Sequence, residues 1–168
     1  MVVDKNAVPM REQTVEQRIG NFDEVPLGYN VEEAVKEARR CMQCVKKPCV
    51  EGCPVHIDIP VFIKALKEND YQKAIDIIHN NDSLPCVTGR VCPQEEQCQA
   101  VCLMKKAGGE PISIGRLERF LADWDLDNRK NKKCGRAAHS GRKGDRVAVV
   151  GSGPAGLTCA AELAKNGY

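Results

Sequence analysis

Aromatic side chains are scarce in this sequence, where Phe, Trp and Tyr make up 4% of 168 residues. Buried aromatics remove large areas from water, so a core with so few must draw on something besides side-chain packing. A charge excess of one sign is also lacking. With 25 Lys and Arg against 23 Asp and Glu, whole-chain electrostatics argue for neither a nucleic-acid partner nor an acidic substrate. No apolar run is long enough to span a bilayer. The opening MVVDKNAVPM is short and broken by Asp4 and Lys5, unlike a secretory leader. The expectation is a soluble, cytoplasmic protein with no membrane contact. At this length one compact domain fits, with at most a fragment of a second.

What is abundant is cysteine, ten residues in all. In a reducing compartment, clustered cysteines serve metal or redox chemistry more often than disulfides.

The local patterns predict a mostly α fold. A short helix is expected through Glu12 to Ile19. Asn30 and Glu33 form a capping box for a helix with Val31, Ala34, Val35 and Ala38 on one face. Asp58 and Pro60 start another, with Ile59, Phe62, Ile63 and Leu66 as its buried stripe. A third follows Asp70, with Ala74, Ile75 and Ile78 inward. Pro85 to Cys102 reads as turn-rich. Ser113 then caps an amphipathic helix whose Ile114, Leu117, Leu121 and Trp124 face the core. Nothing before Arg146 reads as a strand. Between Asn128 and Arg146 eight Lys or Arg residues face one acid, Asp145, without an apolar period. This is a basic linker; it lacks the aromatics that a nucleic-acid arm would use for stacking.

The cysteines fall into two groups, Cys41-x2-Cys44-x4-Cys49-x3-Cys53-Pro54 and Cys92-x5-Cys98-x3-Cys102. Thiolates are the soft donors of iron–sulfur clusters, and in two-cluster ferredoxins the cysteine before proline serves the other cluster. Zinc is the rival, although structural zinc sites usually pair two short knuckles separated by a dozen residues or more. Seven cysteines leave one of eight ligand places empty. Glu118 draws attention because it follows Ile114 by four residues and precedes Leu121 by three, near the apolar face of its helix. Burying an unpaired carboxylate costs on the order of several kcal/mol. An ion pair with Arg90, Arg116 or Arg119 is the simpler remedy on the residues alone, and metal ligation is the other.

NFDEVPLGY (Asn21 to Tyr29), RCMQCVKKPCVEGCPVHIDIPVFI (Arg40 to Ile63), GRVCPQEEQCQAVC (Gly89 to Cys102), PISIGRLERFLADW (Pro111 to Trp124) and VAVVGSGPAGLTCAAELAKNGY (Val147 to Tyr168) together resemble the N-terminal part of the glutamate synthase (NADPH) small-subunit family, homotetrameric type. The large subunits of sulfide dehydrogenase and of NADH-dependent ferredoxin:NADP oxidoreductase, and the N-terminal domain of dihydropyrimidine dehydrogenase, share these motifs. The resemblance implies a helical domain holding two 4Fe-4S clusters with interleaved ligands. The first set would be Cys41, Cys44, Cys49 and Cys102. The second would be Cys53, Cys92 and Cys98 with Glu118, where dihydropyrimidine dehydrogenase has Gln. The resemblance therefore reverses the preference for an ion pair at Glu118. Cys86, Cys134 and Cys159 match no family ligand, and Cys86 is the runner-up for the eighth place. Arg39, Arg40, Arg90 and Arg116 adjoin ligand positions and could offset cluster charge.

The C-terminal stretch reads as a strand, Val147 to Val150, a turn Gly151-Ser152-Gly153-Pro154-Ala155-Gly156, and an Ala- and Leu-rich helix. Glycines there permit a tight turn and close approach of a pyrophosphate to the helix start. One strand and one helix cannot complete a nucleotide site. The expected organisation is thus a cluster domain over 1–127, a linker over 128–145, and the first β-α unit of a truncated Rossmann-like FAD/NAD(P)-binding domain over 146–168. By resemblance the complete protein would bind FAD and NADPH and pass electrons through the clusters to a flavin-containing partner subunit or domain, in an oligomer.

Overall fold

The computed structural model describes residues 4–130 and 146–168. The basic linker from 131 on and Cys134 lie outside the described residues. Two units separate, Met1–Asp125 and Leu126–Tyr168.

The elements follow in the order β1 (Arg11–Glu12), α1 (Val15–Arg18), β2 (Pro26–Gly28), α2 (Val31–Arg39), α3 (Pro48–Glu51), α4 (Ile59–Lys67), α5 (Tyr71–Asn81), α6 (Pro85–Val91), α7 (Leu103–Lys106), α8 (Ile114–Lys130) and α9 (Pro154–Lys165). α2, α4, α5 and α8 begin where the sequence signals place them, whereas α6 lies in a stretch the sequence reads as turn-rich. Asn30 and Glu33 make the reciprocal capping box of α2, and the Asp70 side chain caps α5. Asp58 stands at the N-cap of α4 but makes no side-chain cap; its carboxylate instead accepts both hydrogen bonds of Lys47 Nζ, each at 2.9 Å.

α4 packs between α2 and α5. Phe62, Ile63 and Leu66 of α4, Ile75 and Ile78 of α5, and Leu117 and Leu121 of α8 are fully buried together. The 3.6-residue period of each helix thus sets one apolar stripe against the next. Tyr71 on α5 meets Phe120 and Trp124 of α8 edge-on, with ring centroids at 5.8 and 5.6 Å. These few aromatics cluster where α5 and α8 meet.

Three further features depart from the sequence expectation. The stretch before α1 is a strand, not helix: Arg11 and Glu12 pair antiparallel with Gly28 and Pro26, with a bulge between them. This ribbon draws its register from long-range contacts, including Gln13 N to Val25 O at 2.9 Å, which no local pattern encodes. On α2, Val31 is exposed while Glu37 is completely buried. The Glu37 carboxylate accepts hydrogen bonds from Arg40 at 2.6 Å and from the backbone N–H groups of Val8 and Ser113 at 2.8 Å each. Arg40 in turn donates to the carbonyls of Asp4, Lys5 and Glu110. The pair ties α2 to the N-terminal segment and to the start of α8.

The third departure is in the second unit. Val147–Val150 forms no strand among the described residues, because a strand needs a neighbour to complete its hydrogen bonds. Val150 is fully exposed accordingly. The turn and helix do form. Gly151 adopts φ +105°, and Gly153 caps α9.

Candidate metal centre

Cys41, Cys44, Cys49 and Cys102 line one cavity, together with Ile59, Ile63 and Ile114. Cys53, Cys92, Cys98 and Glu118 line another, with Ile57, Asp82 and Thr88 beside them. The two sets are interleaved along the chain. The last cysteine of the second group faces the first three of the first group, and the last of the first group faces the second. Ile59 and Ile114 contribute to both walls.

Gly52 makes this crossing possible. A Cβ there would lie 2.7 Å from Val101 Cγ2, 3.1 Å from Gln97 O and 3.2 Å from Cys98 Cα. Only a residue without a side chain lets the loop carrying Cys53 come this close to the one carrying Cys98. Gln43 and Lys47 take left-handed backbone conformations that turn the chain sharply between successive thiols of the first group, and His56 does so just after Cys53.

Electrostatics group the sulfurs in nearly the same way, with Cys49 also acting weakly on Cys98 of the other set. Burial pushes the Cys49 thiol up to about 12, with Cys41, Cys102 and Cys44 adding to the rise. Burial likewise pushes Cys98 up to about 12, with Cys53 and Glu118 the largest neighbours. Cys41 and Cys92 are also raised, chiefly by burial. Packed thiols that resist ionisation together are unfavourable as free thiolates and are relieved by a cationic group among them. One sulfur already has a donor: Gln43 Nε2 lies 3.4 Å from Cys41 Sγ.

Glu118 is 7% exposed, and burial raises its carboxyl to about 7. The three arginines considered as its partners are engaged elsewhere. Arg90 pairs with Glu24 and Asp123, Arg119 with the same two acids, and Arg116 donates to the Val8 carbonyl. What meets Glu118 is Thr88, whose Oγ1 stands 2.6 Å from Oε1 and in short contact with Asp82 Oδ2, and Asp82 itself, whose carboxyl adds to the rise at Glu118. A hydroxyl has one hydrogen, so it serves one carboxylate; the other contact requires a carboxyl proton. Sequence reasoning missed Thr88 and Asp82. The available signal was spacing, since Thr88 lies four residues before Cys92 and so shares its side of α6.

The first cavity is tight, about 30 Å³, and the second is about 100 Å³. The donor chemistry fits a four-iron cluster: soft thiolates in an apolar surround, each able to cap a different iron. A single zinc ion would instead need its donors gathered about 2.3 Å from one point, whereas these seven cysteines divide between two cavities.

The remaining predicted residues are not among those lining these cavities. Cys86 Sγ donates to the Ala122 carbonyl at 3.6 Å, and Cys159 is exposed on α9. Gly151 to Gly156 belong to the second unit. A Cβ on Gly156 would lie 2.4 Å from Gly151 O, so the turn closes on glycine alone. Arg40 is absorbed by Glu37 and does not reach the cavities as a free charge, and Arg39 is exposed. No helix among the described residues is long and apolar enough to cross a membrane.

Two interleaved, partly buried thiol sets on a helical scaffold are the arrangement that an iron–sulfur cluster domain requires. Residues 18–130 match the family described as dihydropyrimidine dehydrogenase domain II, 4Fe-4S cluster, and the chain belongs to that family. Among its relatives, the NAD-dependent dihydropyrimidine dehydrogenase subunit PreT of Escherichia coli (strain K12) is 36% identical over 150 residues, covering 88% of this chain and 34% of PreT. The glutamate synthase [NADPH] small chain of the same organism is 33% identical over 165 residues, covering 98% of this chain and 33% of that protein. AegA of the same strain, provisionally named an oxidoreductase, is 34% identical over 171 residues, covering 99% of this chain and 25% of AegA. The chain thus spans a quarter to a third of these curated relatives.

Proposed function

We propose that this chain holds two 4Fe-4S clusters and is the electron-transfer module of an NADPH-dependent flavoprotein oxidoreductase of the glutamate synthase small-subunit type. Cys41, Cys44, Cys49 and Cys102 hold the first cluster, and Cys53, Cys92, Cys98 and Glu118 hold the second. The observation that carries this reading is the division of seven cysteines and one buried carboxylate between two cavities of four donors each. When bound, the clusters supply single-electron acceptance with little geometric change. The protein keeps water away with Ile57, Ile59, Ile63 and Ile114, and sets ligand identity at each place.

Gly151 to Gly156 bind the pyrophosphate of FAD in the complete protein, which also binds NADPH and delivers electrons to a flavin-containing partner. Relatives named for glutamate synthase and for dihydropyrimidine dehydrogenase support this architecture. Its final acceptor chemistry is taken as glutamate synthesis, with sulfide dehydrogenase or ferredoxin:NADP oxidoreductase as the competing assignments for the full protein.

Purification without oxygen, followed by iron, sulfide and zinc analysis, tests the reading. About eight irons per chain is the expected result. Stoichiometric zinc, with failed cluster reconstitution, would establish an interaction module instead. In a Glu118→Cys variant both clusters should persist and the electron paramagnetic resonance (EPR) signal of one alone should change. A signal identical to the parent's removes Glu118 from the ligand set.

A further inference from the structure

The second cavity contains a built support for its only oxygen ligand. Thr88 Oγ1 lies 2.6 Å from Glu118 Oε1, so one of the two carboxylate oxygens is already engaged by protein. Thr88 is itself held. Its oxygen also stands in short contact with Asp82 Oδ2, and with its single hydrogen given to Glu118 that contact runs on the carboxyl proton of Asp82, whose Oδ1 accepts from Leu84 N at 2.8 Å. Threonine has few side-chain rotamers, and its neighbour Gly89 lets α6 approach the α8 backbone closely enough for the contact.

A carboxylate differs from a thiolate in having two equivalent donor atoms on a rotatable bond. Left alone it can swing or bind through both oxygens. An outer hydrogen bond to one oxygen removes that freedom. We infer that Thr88 is the positioning residue of the second cluster, engaging Glu118 Oε1 so that the carboxylate presents its other oxygen to iron, with Asp82, held by the Leu84 backbone, fixing Thr88. This rests on the reading of Glu118 as a ligand. It adds two residues, Thr88 and Asp82, that supply no donor to the metal themselves.

The test uses the full 168-residue chain, loaded anaerobically with iron and sulfide, as parent, Thr88→Val, Thr88→Ser and Glu118→Ala. Iron release to a chelator and the EPR spectrum of the reduced protein are the readouts, with circular dichroism checking the fold. Thr88→Val keeps the shape and removes the hydroxyl. It should lose iron from one cluster about 10- to 100-fold faster than the parent and change that cluster's spectrum, while Thr88→Ser returns toward parent behaviour. Parent-like release and spectrum in Thr88→Val, with one cluster lost in Glu118→Ala, would overturn the positioning role alone. Equal loss in Thr88→Val and Thr88→Ser would also overturn it, because the hydroxyl would then not be what matters. If Glu118→Ala leaves both clusters intact, the ligand assignment falls and the inference falls with it.

Discussion

A Cβ on Gly89 would lie 2.8 Å from the backbone nitrogen of Arg119 and 3.0 Å from its Cα. These are backbone atoms of α8, so they cannot turn aside as a side chain would. The glycine fixes how closely α6, which carries Thr88 and leads into Cys92, approaches the helix that carries Glu118.

Gly89→Ala should therefore act at a distance. Overpacking of this kind costs about 1–3 kcal/mol, and the relief available is separation of α6 from α8. Thr88 and Cys92 would move away from Glu118 while Cys41, Cys44, Cys49 and Cys102 stay in place. Iron content after anaerobic loading should fall from about eight toward about four per chain, with one EPR signal retained. Loss of both clusters in parallel would show that the crossing supports the whole domain.

Much of this arrangement was legible in the sequence, for identifiable reasons. The stripe of Ile59, Phe62, Ile63 and Leu66 repeats with the helix period, and Asn30 with Glu33 is a local reciprocal contact; both are written in short windows. Glu118 was noticed because a carboxylate beside Ile114 and Leu121 conflicts with its apolar face. Which cysteines group together was readable only through family resemblance. Spacing along the chain does not disclose that Cys102 returns to Cys41 while Cys53 departs to Cys98. The β1–β2 ribbon, the buried Glu37 and the Thr88–Asp82 support were missed because each depends on partners distant in sequence. Glu37 reaches Ser113, 76 residues away, and no periodicity signals that a charged residue on α2 replaces Val31 on the buried side.

Glu37→Gln should be severely destabilising. Both carboxylate oxygens accept hydrogen bonds, Oε2 from Val8 N and Oε1 from Ser113 N and Arg40. A glutamine amide must therefore point its NH2 at another donor whichever way it is turned, and Arg40 keeps a buried charge without its partner. Breaking a buried pair in this way costs about 3–5 kcal/mol. Fluorescence of Trp124, the chain's single tryptophan, packed edge-on against Tyr71, reports unfolding in urea. The midpoint should drop markedly in the variant. A midpoint within error of the parent's would mean that the network contributes orientation without net stability.

Acid should reveal the link between β2 and the helices. Glu24 joins the end of the ribbon segment to Arg90 at 2.7 Å and to Arg119 at 2.7 Å, and the Arg90 hydrogen bond holds its carboxyl below the usual carboxylate range, with Arg119 adding to the effect. A carboxyl whose folded pKa is depressed contributes stability that is present above its unfolded pKa and lost as pH falls through the folded one. Glu24 is largely exposed and screened by water, so the contribution is small, no more than about 1 kcal/mol. Glu24→Gln should thus be slightly less stable than the parent at neutral pH, and the difference should close below the carboxylate range. High salt should shrink the neutral-pH difference as well. Urea midpoints at neutral and acid pH, at low and high salt, make the comparison. A difference that persists unchanged in acid would assign the effect of Glu24 to packing instead of charge.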